Sequence, residues 1–265
     1  MNENLITNFH THTMLCHHAT GMPAEYVRQA QKDGCCELGF SDHCPYPESN
    51  DFFWKDIRMT AAQAPVYIEA VKEAARTVSF PVHTGFECEW DKNYASWYSD
   101  VLKDELKTDY LILGSHWVTL GNRHVYCQEL DSVSELHTYI DQTIDGMQSG
   151  LFSFLAHPDI FMGGWKEWDA EAESCLKAVL EAARDCSLPL EINGLGLIKQ
   201  KVRSRRGLVR QYPVDEFWKL VAQSSVQVIC NADAHDPLDV ICNARKARDY
   251  AARFGITPME SIFQS

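Results

Sequence analysis

Seven short apolar runs alternate along this chain with longer stretches of helical periodicity, and each apolar run ends in a polar residue. The runs occupy residues 5–10, 36–42, 80–87, 109–116, 151–157, 188–193 and 226–232. Helices are expected near residues 23–33, 60–77, 95–107, 132–149, 170–186, 213–224 and 238–254. Within the fifth of these, Leu176, Val179, Leu180 and Ala183 fall on one face. Pro213 stands where a first helical turn would begin, and Gly255 follows the last helix as a C-terminal cap should. Tyr110-Leu111-Ile112-Leu113 and Val226-Gln227-Val228-Ile229-Cys230 suit strands covered on both faces. Strand–helix alternation implies a parallel sheet with helical crossovers. Seven repeats favour a closed barrel over an open sheet, so the expected fold is α/β, a (β/α)7 barrel in a single domain spanning residues 1–265. In such folds the working residues gather at the C-terminal ends of the strands.

The strand ends carry an unusual set of residues. The first offers His10 and His12, with His17 and His18 just beyond, so four of the eleven histidines fall within His10–His18. Side chains two apart on a strand share a face, so His10 and His12 aim at one point. The following ends give Ser41-Asp42-His43, Glu87-Cys88-Glu89, Gly114-Ser115-His116, Ala156-His157-Pro158, Glu191-Ile192-Asn193 and Asp233-Ala234-His235. One such residue is unremarkable, but seven together are not explained as packed core groups. The donors are nitrogen and oxygen, which suits zinc, iron or manganese at a catalytic site. They exceed what one ion uses, so two to three divalent ions are implied, bridged by a carboxylate and a water-derived hydroxide. Cys16, Cys44 and Cys88 flank these motifs and read as packing residues.

The formal net charge of −13 disfavours nucleic acid and anionic membranes as partners. A small phosphorylated substrate in a locally positive pocket remains compatible with it. The N-terminal residues do not read as a signal peptide, and no apolar run has membrane-spanning length. Ten scattered cysteines without an export signal fit free thiols in a reducing cytoplasm. The sequence is silent on oligomeric state.

In order and spacing, the motifs His10-Thr11-His12-Thr13, Ser41-Asp42-His43-Cys44-Pro45, Gly85-Phe86-Glu87, Gly114-Ser115-His116, Ala156-His157-Pro158, Glu191-Ile192-Asn193 and Asp233-Ala234-His235 resemble the polymerase and histidinol phosphatase (PHP) superfamily, in its histidinol-phosphatase branch. The resemblance implies a distorted seven-stranded barrel with a trinuclear metal site. It implies that His10, His12, Glu87 and Asp233 hold one ion. Glu87 would bridge to a second ion held by His116 and His157, and His18, His43 and His235 would hold a third. The family spacing selects His18 over His17. Asp233 and Glu87 are the expected catalytic carboxylates.

The implied chemistry is phosphomonoester hydrolysis, with L-histidinol phosphate as the leading substrate and a metal-bridging hydroxide as nucleophile. Phosphate needs further cations. Lys199, Lys201, Arg203, Arg205, Arg206 and Arg210 form a basic run after the sixth strand. Arg206 and then Arg203 are the expected phosphate ligands, with Arg58 a further one by resemblance. Glu89 and Asn193 are expected to meet the substrate, and Phe52, Phe53, Trp54 and Trp117 to wall the pocket. Alternatives are a PHP-type phosphoesterase acting on another small phosphate or a nucleotide, and a non-catalytic metal-binding regulatory barrel. An amidohydrolase also begins from H-x-H, but it wants a bridging lysine near a strand end, and none stands there.

Overall fold

The computed structural model describes residues 6–47 and 55–263. Phe52, Phe53 and Trp54 lie outside them. Four parallel strands, β1 (Ile6–Asn8), β2 (Cys35–His43), β3 (Val82–Cys88) and β4 (Tyr110–Leu113), pair in sequence order. A hairpin follows, β5 (Trp117–Leu120) with β6 (Arg123–Tyr126). Next come β7 (Leu190–Asn193), a second hairpin of β8 (Val202–Ser204) and β9 (Gly207–Val209), and β10 (Val228–Asn231). Strand β10 pairs with β7 in parallel. The helices are α1 (Pro23–Lys32), α2 (Ala64–Ala75), α3 (Val133–Gln148), α4 (Met162–Trp165), α5 (Ala170–Asp185), α6 (Gly194–Ile198), α7 (Asp215–Val221) and α8 (Asp239–Ala252). A π-helix, Trp97–Glu105, connects β3 to β4. No helix among the described residues is long and apolar enough to cross a membrane.

The fifth expected strand, 151–157, is reduced to single bridges. Leu155 bridges both Leu113 and Leu190, which fills the gap between β4 and β7. A Thr11–Ala234 bridge joins the two ends of the ring. The parallel sheet therefore curls into a distorted, incompletely bonded barrel. Pro213 precedes α7 rather than opening it, and neither hairpin was expected from the strand–helix alternation. Asp169 caps α5 by accepting from the Ala172 amide, and Ser132 caps α3 by accepting from that of Glu135.

Two apolar layers follow from the period of two. On β4, Leu111 and Leu113 face the helices, while Tyr110 and Ile112 face inward with Phe9, Phe154, Ala156 and Ile229. This inner cluster is the barrel's floor. Tyr110 lies across it and donates its hydroxyl to the Phe9 carbonyl at 2.8 Å. Gly39 and Gly85 make room for the ring: a Cβ on Gly39 would sit 2.4 Å from the Tyr110 hydroxyl, and one on Gly85 2.8 Å from the ring. Met259, Ile262 and Phe263 pack against the floor, and Phe263 stacks on His83 with centroids 4.0 Å apart. The C-terminal segment thus plugs the barrel at the end opposite its polar face.

Candidate metal centre

On β2 and β3 the inward face continues into the polar set, whereas His10 and His157 each directly follow a floor residue and depart from the alternation. His43 and Glu87 stand opposite each other in the β2–β3 register, and Glu87 stands opposite Ile112. Beyond the strands the backbone turns sharply. Ser115, His157 and Asp233 all take left-handed conformations, with φ of 47°, 30° and 51°. Non-glycine residues hold such angles at roughly 1–3 kcal/mol each, and they cluster at functional sites. His17 also has φ 65°. That turn leaves His17 at the surface and folds His18 back, where its Nε2 lies 2.9 Å from His235 Nε2. Of the two histidines, it is His18 that the structure brings into the cluster.

The donor atoms are spaced as a small cation requires. His10 Nε2 lies 3.1 Å from His12 Nε2, 3.4 Å from Glu87 Oε1 and 3.5 Å from Asp233 Oδ1. His12 Nε2 lies 3.2 Å from Asp233 Oδ1 and 3.5 Å from Glu87 Oε2. Tetrahedral ligands at ~2.0–2.1 Å from an ion stand about 3.3 Å from one another. On the other side of Glu87, its Oε1 is 3.0 Å from His157 Nε2 and 3.6 Å from His116 Nε2. His18, His43 and His235 form a further group with donors within 4.8 Å of one another. His43 Nδ1 is also 3.0 Å from Glu87 Oε2, so Glu87 touches histidines of every group.

The pair His18–His235 tests the fit to a cation most directly. His18 Nδ1 donates to the Cys16 carbonyl at 2.8 Å, and His235 Nδ1 to that of Asp233 at 3.2 Å. Carbonyls only accept, so both protons are fixed on Nδ1 and two Nε2 lone pairs face each other. Burial, with His12 nearby, lowers the pKa of His18 and brings that of His235 down to about 3. A shared electrophile reconciles the two lone pairs. The carboxylates point the same way. Burial raises the pKa of Glu87, yet His116, His10 and His43 outweigh it and hold the group well below the usual range. Asp233 is likewise held low against burial by His10, His12 and His235.

A layer of acids orients these groups. Glu191 accepts from His10 Nδ1 at 2.9 Å, from the His157 amide at 3.0 Å, and from Asn193 Nδ2 and Asn231 Nδ2. Glu89 accepts from His116 Nδ1 at 2.7 Å and from the His116 amide at 2.8 Å. Asp42 accepts from the Thr13 amide at 3.1 Å and lies 3.6 Å from His12 Nδ1. Carboxylates behind metal-binding histidines fix tautomer and ring orientation. Sequence reasoning missed Glu191 in this role, although it shares a strand face with Asn193.

Several expected substrate contacts lie elsewhere. Asn193 caps α6 and donates to Glu191 and Asp233, so it orients the cluster rather than facing the cavity. Glu89 is buried behind His116, and Arg58 is buried behind Glu89, 3.6 Å from it, with Nη1 donating to the Cys44 carbonyl. The cluster floors a cavity of about 480 Å³ walled by Ile57, Trp117, Tyr126, Ile160, Leu195 and Tyr212, with Lys199 as its basic residue. Arg206 lines a separate cavity of about 320 Å³ and pairs with Glu216 at 3.2 Å. Arg203 is exposed on β8 of the same hairpin. The acids of α7 draw the basic run away, since Arg210 also pairs with Asp215, at 3.1 Å.

The family model described as PHP domain matches residues 8–194. Among curated proteins, a probable histidinol-phosphatase of Deinococcus radiodurans is 27% identical over 238 residues, covering 87% of this chain and 86% of the relative. A crystal structure of a provisionally assigned histidinol phosphatase from Listeria monocytogenes superposes with a TM-score of 0.71 at 16% identity, over 88% of this chain and 97% of that one. The Lactococcus lactis histidinol phosphate phosphatase, crystallised with zinc, L-histidinol and phosphate, gives 0.67 at 17% identity, over 96% and 95% of the two chains.

Proposed function

This chain belongs to the PHP domain family, and on that footing we propose that it is a divalent-metal-dependent phosphomonoesterase acting on a small phosphate ester, L-histidinol phosphate first. The curated relative and the zinc- and phosphate-bound structural neighbour support the substrate. One observation carries the metal dependence: His10 Nε2, His12 Nε2 and Asp233 Oδ1 stand 3.1–3.5 Å from one another, at the edge length of a tetrahedral ion shell, with the Glu87 carboxylate beside both imidazoles.

In this reading His10, His12, Glu87 and Asp233 would hold one ion, Glu87 with His116 and His157 a second, and His18, His43 and His235 a third. Two to three ions of the zinc, iron or manganese class supply activation of water and neutralisation of phosphoryl oxygens when bound. Glu87, which stands beside histidines of every group, would serve more than one of them. Asp233, at the cavity edge and oriented by Asn193, passes a proton between the attacking water and the leaving oxygen. Lys199, beside the Tyr212 ring at 5.3 Å, meets the phosphate in place of the arginines of the hairpin. The aromatic walls, Trp117 and Tyr126, pack against the leaving group.

One observation favours a second reading, another small phosphate ester or a nucleotide. Among the described residues, no carboxylate outside the proposed ligands lines the cavity to pair with a substrate ammonium. Metal-depleted protein should be reloaded with zinc, manganese or iron and assayed against histidinol phosphate, nucleotides and sugar phosphates. Two to three bound ions and a preference for histidinol phosphate are expected. Activity in metal-free protein would overturn the mechanism, and a flat profile would overturn the substrate.

A further inference from the structure

Arg58 is expected from the resemblance to meet phosphate, but the fold places it behind the cavity. Ile57 lines the cavity above the polar cluster, whereas Arg58 does not and is only 4% exposed. Its Nη2 lies 3.6 Å from Glu89 Oε1, and its Nη1 donates to the Cys44 carbonyl at 3.4 Å. The guanidinium carbon sits 5.5 Å from the centre of the Tyr46 ring.

The same tyrosine grips the backbone of Glu89. The Tyr46 hydroxyl donates to the Glu89 carbonyl at 3.0 Å and accepts from the Glu89 amide at 3.0 Å, and Tyr98 donates to that carbonyl at 2.7 Å. The carboxylate then gathers three N–H groups of the segment after β4. Oε2 accepts from the His116 amide at 2.8 Å and the Trp117 amide at 3.3 Å, and Oε1 accepts from His116 Nδ1 at 2.7 Å. One buried side chain therefore sets both a proposed ligand and an aromatic wall. A buried carboxylate needs a balancing charge besides its donors. An imidazole that binds an ion through Nε2 is neutral, so it gives Glu89 a hydrogen bond and no charge. Among the described residues, Arg58 is the one lysine or arginine within ion-pair reach of Glu89.

We propose that Arg58 is a positioning residue: through Glu89 it fixes the His116 imidazole and the Trp117 amide, and it makes no contact with phosphate. The inference rests on the reading of His116 as a metal ligand and does not depend on which phosphate ester is turned over. Loss of Arg58 loosens the ring that faces Glu87 from β4, while His10, His12 and Asp233 keep their own partners. One ion of the set is weakened, and the affinity for a phosphate ester at full metal occupancy is not.

Arg58→Met, which keeps bulk and removes charge, and Arg58→Lys, which keeps charge, test it in the full-length protein. Chelator competition should show the weakest-held zinc of Arg58→Met bound ~10-fold less tightly, the lower end for loss of a partner outside the coordination shell, with Arg58→Lys nearer the natural protein. At limiting zinc Arg58→Met should lose kcat. At saturating zinc it should regain kcat, with KM and the inhibition constant of inorganic phosphate unchanged. A KM and phosphate inhibition constant raised about tenfold at saturating zinc would make Arg58 a phosphate contact and overturn the proposal. Equal zinc affinity in all three proteins, or a kcat that zinc does not restore, would also overturn it. The zinc-loaded natural protein needs no variant to fold: the Arg58 Nε–H resonance should stay in place as inorganic phosphate is added, and its displacement would count against the proposal. Natural protein that takes up no zinc would sink the metal reading alone. The proton between His116 Nδ1 and Glu89 would still decide the role of Arg58, since it should exchange faster in Arg58→Met, and an unchanged rate would overturn that role.

Discussion

The two ends of the barrel interior are made by the same strands and obey different rules. At the floor, Phe9, Tyr110, Ile112, Phe154, Ala156 and Ile229 need only fill volume, and the C-terminal Phe263 completes them. One residue after Phe9 stands His10, and one after Ala156 stands His157, both fully enclosed and both governed by charge. Volume tolerates exchange among apolar groups of similar size, whereas a buried cluster of lone pairs and carboxylates tolerates little. The comparison implies that floor and metal face can be damaged independently.

Asp233→Asn should do the greatest harm, lowering turnover by ~10²–10⁴-fold as loss of a proton-transfer group does, with the circular dichroism spectrum unchanged. A variant that unfolds instead would show that the metal face also carries the fold. Glu191→Gln keeps the shape but removes the charge behind His10. Zinc affinity, measured by chelator competition, should drop ~10–100-fold. Phe263→Ala is the converse. It should lower stability by about 2 kcal/mol in urea titrations and leave kcat and metal content intact, and a fall in kcat would break the proposed independence. Lys199→Ala should raise KM about tenfold, the share of one charge-assisted contact, with kcat little changed. Arg206→Ala should change stability by less than about 0.5 kcal/mol, because its pair with Glu216 is exposed, and should leave kinetics unchanged.

Much of the polar cluster was legible because it obeys local rules. Period two placed His10 beside His12, and strand ends placed Glu87, His157 and Asp233. What was not legible depends on partners far along the chain. Glu89 does lie on the face of Glu87, yet its task is set by His116, 27 residues on. Arginines 203 and 206 follow the sixth strand as expected, but whether their hairpin leans over the cavity is decided by Asp215 and Glu216 on α7. The expected strand at 151–157 bonds to both neighbours, through Leu113 and Glu191 with Phe154, Leu155 and Ala156, but too briefly to form a strand.

The bridge that closes the barrel has a consequence for how the chain matures. The first and last strands meet at Thr11 and Ala234, where the His12 amide donates to the Ala234 carbonyl and the Ala234 amide to the His10 carbonyl. These are the very segments that carry His10, His12, Asp233 and His235, and His18 and His235 are 217 positions apart. Contacts so distant form late, after the closure entropy of nearly the whole chain has been met. A chain emerging from the ribosome therefore displays its first histidines long before it can offer a finished site. Under the proposed metal dependence, an ion held across the closed seam would act as a clasp on it, adding stability that grows with the logarithm of its free concentration.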